Sequence, residues 1–285
     1  MNKAYNIIAD RIINQLEKGT APWQMPWIGG AAKNLVSKKD YRGMNIFLLA
    51  CNSYASPYWV SYKQAKDLGG NVIKGEKGTP VVFWKQSYTK KEIDPDTGKE
   101  TSSTFPILRY YTVFNVEQCE NIPADKIPIH EERDFNTIEE CDKVLDNMPK
   151  RPDITFKEPQ AYYRASSDSV NMPKPETFKG DEAYYATLFH ELTHATGHES
   201  RLDRHRKEKC SHMFGSKDYS KEELTAEMGA AFLCGHTGIE NKTIDNSAAY
   251  IKGWLNRLKN DPKFVIQAAG RAQKAADFIL GIDWE

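Results

Sequence analysis

His190, Glu191 and His194 sit in the window Thr187-Leu188-Phe189-His190-Glu191-Leu192-Thr193-His194-Ala195-Thr196-Gly197-His198. On a helix, residues four apart lie about 6 Å apart on nearly one face, so the two imidazoles can reach one metal ion. Glu191 stands beside the first of them, where a carboxylate can take a proton from a metal-activated water. This is the HExxH arrangement of zinc hydrolases. Such a centre needs a third protein ligand and an open position for the reacting water. The chemistry expected is hydrolysis of a peptide, with the ion polarising the carbonyl and Glu191 passing the proton to the leaving amine.

His198 is the nearest candidate for the third ligand, but a continued helix carries it about 12 Å from His190, too far for bonds of about 2 Å. If Gly197 turns the chain instead, a metzincin pattern wants histidine three residues later, where this sequence has Ser200. The next long helix offers carboxylates. Leu224, Met228, Ala231 and Phe232 mark its buried face, and Glu227 borders that face among Ala226, Ala230 and Ala231. A carboxylate there needs a partner or a metal. Glu227 is therefore the expected third ligand, giving a His₂Glu site. Glu223, one turn earlier, is the alternative ligand or a supporting partner; it and Glu222 also read as solvated helix charges. His198, His205, His212 and His236 read as surface or supporting residues.

The elements that would position these residues follow from pattern. Residues 181–196 and 220–233 read as helices, the second with a capping box formed by Ser220 and Glu223. Helices are also expected over 137–148, 247–259 and 261–280, the last opened by Asp261-Pro262. Short strands suit 154–156, 161–165 and 169–172. In the first half, Ile7, Ile8, Ile12, Ile13 and Leu16 recur at helical spacing, and Gly19 follows as a stop. Residues 46–51 are apolar and fit either a helix or a strand, and residues 61–70 fit a short helix closed by glycine. The β-rich runs on either side of Asp94-Pro95-Asp96-Thr97-Gly98 predict a long hairpin over 79–116 with a polar, mobile tip. Prolines 123 and 128 mark a boundary. The fold expected is α+β in two domains: residues 1–122, a linker at 123–136, and a mainly helical domain with a small sheet over 137–285.

The charge is split along the chain although it sums to zero. Residues 1–116 carry 16 Lys and Arg against 9 Asp and Glu, and the remainder carries 23 against 30. Two different jobs are implied. The basic part also holds 16 of the 32 aromatic residues. Rings interleaved with cations suit single-stranded nucleic acid, because bases stack on ring faces while cations track phosphates. Candidate contacts are Trp23, Trp27, Lys38, Lys39, Tyr41, Arg42, Tyr58, Trp59, Lys74, Lys77 and Arg109. The competing use of tryptophan is core packing. Five scattered cysteines without a CxxC pair read as reduced thiols of a cytoplasmic protein. The N-terminal segment reads as an amphipathic helix and not a signal peptide, and no apolar run is long enough to span a membrane.

The chain resembles the ArdC-type antirestriction proteins of plasmids and other mobile elements. In the first half the likeness rests on Tyr41-Arg42-Gly43-Met44-Asn45, on Lys74-Gly75-Glu76-Lys77-Gly78 leading into Val81-Val82-Phe83, and on Tyr111-Thr112-Val113-Phe114-Asn115 before Gln118-Cys119. The second half supplies the residues from Phe189 to His198, Arg201-Leu202, and Glu223 to Leu233. The resemblance implies a single-stranded-DNA-binding domain followed by a zincin-like, gluzincin-type metallopeptidase domain that protects incoming DNA from host restriction. It implies His190, His194 and Glu227 as ligands of Zn²⁺ or another divalent ion such as Mn²⁺, and Glu191 as the base. Expected partners are single-stranded DNA and a protein substrate or host restriction enzyme. Two further readings stand beside it: a regulatory peptidase that cleaves a host protein, and a DNA-binding module whose metal is structural.

Overall fold

The computed structural model describes residues 3–24, 32–52, 54–93, 100–128, 137–207, 217–239 and 248–282. The chain opens with α1 (Lys3–Glu17), whose Ile8, Ile12 and Leu16 are buried as their spacing predicts. Short β1 (Lys33–Asn34) follows, and then α2 (Met44–Ala50), so the ambiguous apolar run is a helix. Gly43 opens α2 at a φ of 56°, a conformation glycine adopts without steric cost. Next come β2 (Tyr58–Ser61) and α3 (Tyr62–Asp67), the latter held by a capping box between Ser61 and Gln64. After β3 (Asn71–Val72) the expected hairpin appears as β4 (Thr79–Ile93) and β5 (Glu100–Asn115). Its expected tip at 94–98 lies outside the described residues. Strand β6 (Cys119–Glu120) pairs with β3.

The hairpin belongs to a four-stranded sheet of order β1-β2-β5-β4, which leaves β4 at an edge. Asn45 covers part of that edge. Its side-chain amide donates to the Val82 carbonyl at 2.8 Å and its oxygen accepts the Val82 N–H at 2.7 Å. An α-helix is thereby pinned to a strand that would otherwise present unpaired backbone groups.

In the second half, α4 (Thr137–Asn147) leads to β7 (Asp153–Thr155), β8 (Tyr162–Arg164) and β9 (Ser169–Asn171), a small sheet of order β7-β9-β8. Then follow α5 (Asp181–Ala195), short α6 (Arg204–Lys207), α7 (Lys217–Thr237), α8 (Ala248–Asn260) and α9 (Phe264–Ile279). Helix α7 starts before the expected residue, so Ser220 lies inside it. The capping-box reading is corrected: the helix continues one turn further towards its N-terminus than the Ser220-to-Glu223 pattern implies.

One hydrophobic core runs through both halves of the chain. Ile8, Ile12, Trp23, Phe47 and Leu48 from the first half join Phe189, Phe232, Trp254, Val265 and Ala272 from the second. Phe47 stacks on Phe232 at 4.8 Å, and Trp23 meets Trp254 edge-on at 5.2 Å. The charge split along the sequence therefore does not correspond to two separate cores. Polar contacts reinforce the seam. Arg42 pairs with Asp277 of α9, and the Gly43 N–H donates to Gln273 at 2.8 Å. No helix among the described residues is long and apolar enough to cross a membrane.

Candidate metal centre

Helix α5 carries His190, Glu191 and His194, and α7 packs across it. The close approach is made at Gly229 of α7, where a Cβ would stand 2.5 Å from Thr193 Cγ2. With the helices this near, the two imidazoles turn their Nε2 atoms towards each other, 3.2 Å apart. A carboxylate from α7 closes the group, and it is Glu223: its oxygens lie 3.7 Å from His190 Nε2 and 3.5 Å from His194 Nε2. Donor atoms of all three residues fall within 4.8 Å of one another. Bonds of about 2 Å in tetrahedral array separate donors by roughly 3.3 Å, so these spacings fit one small divalent ion.

The expected carboxylate was Glu227, with Glu223 as the alternative. Glu227 shares the helix face one turn on, is 3% exposed, and has an oxygen without a hydrogen-bond partner among the described residues. Burial, reinforced by the nearby Glu223 and opposed by His194, pushes its carboxyl up to about 8. Two carboxylates a turn apart both face α5. The axial register between the helices decides which one meets the histidines, and one turn is about 5.4 Å.

Burial and the neighbouring His194 push the His190 imidazole down to about 3. Burial also acts to lower His194, but its bond to Glu222 and the charges of Glu223 and Glu191 outweigh it and hold it up at about 9. A cation bound there competes with a proton on His194 for the same nitrogen. Glu191 is 8% exposed, and burial raises its carboxyl above the ordinary value. A backbone hydrogen bond from Tyr163 of β8 opposes that rise and orients the group.

Sequence reasoning missed the residues that hold this arrangement. Glu222, read as a solvated charge, is buried against α5. Its Oε1 lies 3.5 Å from His194 Nδ1 and 3.5 Å from His205 Nε2. Arg204 grips the same carboxylate through Nη2 at 2.5 Å and Nε at 3.1 Å. Burial works against the charge on Glu222, but the Arg204 guanidinium and the two histidines keep it well below the ordinary range. Arg204 also donates to the Thr193 carbonyl and the Thr196 hydroxyl, tying α7 to the end of α5. Arg201 ties the same end to the small sheet. It donates to the Ala195 carbonyl at 2.7 Å and forks onto Asp168, which also accepts from the Tyr163 hydroxyl at 2.9 Å. Gly197 is required at this turn because a side chain there would collide with the His205 ring. His198 bonds to Ser200 at 2.8 Å, outside the donor group, as its spacing implied. His212 lies outside the described residues.

The expected nucleic-acid residues divide by burial. Trp23 is fully buried between Phe47 and Trp254, Trp59 is buried against Tyr54, and Tyr41 is buried beneath Asn34. These three are corrected to core residues, because their rings fill the interior and present no free face. Arg42 is engaged with Asp277. Trp27 lies outside the described residues. Lys38 and Lys39 are exposed on the turn after β1, with Lys38 above the half-buried Tyr58 ring at 5.9 Å. Lys74, Lys77 and Arg109 are exposed.

Residues 2–114 match the model of the N-terminal domain of the anti-restriction factor ArdC, and residues 139–271 match the zincin-like metallopeptidase model. The crystal structure of metal-free antirestriction ArdC from plasmid R388 superimposes with a TM-score of 0.77 at 37% identity, covering 99% of this chain and 100% of that one. The chain belongs to the ArdC antirestriction family. The Mn(II)-bound structure of the R388 ArdC protein matches equally, with a TM-score of 0.77 at 38% identity over 99% of this chain and 98% of that one. The Sinorhizobium fredii protein y4eC is 35% identical over 96% of this chain and 91% of its own length. An Escherichia coli protein named DNA primase TraC is 36% identical over 97% of this chain, which spans only 27% of that relative's length. A second Escherichia coli TraC is 35% identical, and the chain spans 20% of it.

Proposed function

We propose that this ArdC-family protein shields incoming single-stranded DNA from restriction, and that it holds a divalent cation at His190, His194 and Glu223 for a hydrolytic step. The observation that carries the second part is the convergence of two imidazoles and one carboxylate beside a buried, separately held Glu191. Zn²⁺ suits a His₂Glu donor set, and the Mn(II)-bound R388 relative supports Mn²⁺ as the other occupant. When bound, such an ion acidifies a water and polarises a substrate carbonyl. Glu191, buried beside the donor group with its carboxyl raised above the ordinary value, is the residue that would accept a proton from a water held there and return it to a leaving amine. Glu222 fixes the tautomer of His194 by accepting from Nδ1, which leaves Nε2 free to donate its lone pair. Support for DNA binding comes from the family and from the TraC relatives, whose name is that of a DNA-handling enzyme.

The test is plasmid transfer into restricting and non-restricting recipients, with Glu191→Gln and Glu223→Ala compared against the native chain. Loss of protection in both variants, with metal retained in Glu191→Gln, supports a catalytic centre. Full protection by Glu191→Gln overturns it and leaves the ion a structural role. If the native chain gives no protection, the antirestriction reading itself fails.

A further inference from the structure

The rings available to stack on bases are not those the composition suggested. Among the described residues of the first half, the large exposed aromatics include Phe83 and Trp84 on β4 and Tyr110 and Tyr111 on β5, at 43%, 53%, 37% and 39% exposure. Strand register sorts them by face. Phe83 is opposite Arg109, Val81 opposite Tyr111, and Lys85 opposite Ile107, so Phe83, Lys85, Arg109 and Tyr111 share one face. Phe83 and Tyr111 are diagonal neighbours with ring centroids 5.8 Å apart. Lys85 and Arg109 beside them are exposed. Trp84 and Tyr110 lie on the opposite face by the same alternation.

We infer that the Phe83–Tyr111 face of the β4–β5 hairpin is where single-stranded DNA lies, its bases on the two rings and its phosphates against Lys85 and Arg109. This rests on the proposed DNA-binding function and assigns it to a particular surface. Charge selects the occupant. Strands β4 and β5 contain Lys85, Lys90, Lys91 and Arg109, and their acids, Glu92 and Glu100, stand at the far end of the hairpin, nine residues along from Phe83 and Arg109. Two rings whose charged neighbours on the same face are Lys85 and Arg109 fit a polyanion with flat apolar bases better than an acid-and-base protein surface. The platform is also fixed in place. Asn45 bonds both backbone groups of Val82, the residue before Phe83, while Val81 and Val113 root the same face in a buried cluster with Tyr41 and Trp59. A rigid platform loses little entropy when a strand is laid on it.

Fluorescence anisotropy of a labelled oligothymidine, which cannot pair with itself, tests this on the full chain. Phe83→Ala and Tyr111→Ala are each expected to weaken binding about 5- to 50-fold, since stacking on one ring contributes that order of affinity. Arg109→Ala should weaken binding and reduce the slope of log K against log salt by about 1. Trp84→Ala, on the other face, should bind within about 3-fold of the native chain, under the same per-ring stacking scale. Melting temperatures confirm that each variant is folded. Native binding with no loss in Phe83→Ala, Tyr111→Ala and Arg109→Ala overturns this surface while leaving DNA binding standing. A loss in Trp84→Ala as large as in Phe83→Ala overturns the choice of face. Absence of binding by the native chain overturns the DNA-binding reading itself. Self-association that Phe83→Ala abolishes, with DNA affinity unchanged, assigns the face to a second copy of the chain instead.

Discussion

Substituting Gly229 by alanine is predicted to damage both stability and the metal site, although alanine favours helices over glycine by about 1 kcal/mol. The added Cβ meets Thr193 Cγ2 at 2.5 Å, Oγ1 at 2.6 Å and Cβ at 3.1 Å. Ordinary carbon contacts are about 3.8 Å, so roughly 1 Å of separation must be found. Rotating Thr193 does not supply it, because its Cβ is itself too close and its hydroxyl is held by the Phe189 carbonyl at 2.7 Å. The helices must part, and overpacking of this kind costs about 1–3 kcal/mol. The net effect is a loss of up to about 2 kcal/mol, or a melting temperature lower by a few degrees at about 2–4 °C per kcal/mol for a chain of this size. Because the histidines stand on one helix and Glu223 on the other, parting them should also weaken Mn²⁺ binding by calorimetry about 10-fold or more. Thr193→Ala removes most of the obstruction. In that background Gly229→Ala should stabilise, and the double-mutant cycle should show coupling of about 1–2 kcal/mol. A higher melting temperature for Gly229→Ala in the native background, or the same penalty in both backgrounds, refutes the reasoning.

Glu222→Gln keeps the shape of the residue that orients His194 but weakens its grip, and calorimetry should show divalent-metal affinity falling about 10- to 100-fold. Arg42→Ala removes the pair with Asp277 at the seam between the halves; denaturant unfolding should show a loss of about 1–2 kcal/mol with no change in metal affinity. Asp168→Asn should cost about 1–2 kcal/mol at neutral pH, because the Arg201 side chain beside it is 1% exposed and loses its charged partner. Burial acts to raise Asp168, but Arg201 and Tyr163 leave it below the ordinary carboxylate value. A depressed carboxylate stabilises the fold above its unfolded pKa of about 4 and loses that contribution as pH falls through its folded value. Urea unfolding across acidic pH should therefore show the native chain and Asp168→Asn converging below about pH 4.

Local period made the metal helix and the hairpin legible in the sequence. Two histidines four residues apart declare a helix face, and Asp94-Pro95-Asp96-Thr97-Gly98 between β-rich runs declares a hairpin. Interhelical register was not legible, because Glu223 and Glu227 have the same phase on α7 and differ only by a turn along it. Nor was the clamp at Glu222: a glutamate in Lys221-Glu222-Glu223 looks solvated until Arg204 and His205, nearly twenty residues away in sequence, are folded against it.

The aromatic residues make the same point in reverse. Trp23 and Trp59 were singled out as rings interleaved with cations, but the same large ring is also what makes tryptophan useful in a core. The pairs Phe83-Trp84 and Tyr110-Tyr111 carried a better signal, because neighbouring residues on a strand point to opposite faces. Two adjacent rings on each of two paired strands place aromatics on both sides of the sheet, and a sheet covered on one side must leave some of them in water. That coverage depends on where α1 and α2 lie, and both helices bury their apolar residues in a core shared with α7, α8 and α9. The exposed face of the hairpin is thus set partly by the half of the chain that carries the metal site. The contacts from Asn45 to Val82 and from Gly43 to Gln273 join the hairpin and α9 within three residues of sequence. A substitution in this short segment can therefore disturb the proposed DNA surface and the interhelical packing together, whereas one at Phe83 acts on the surface alone.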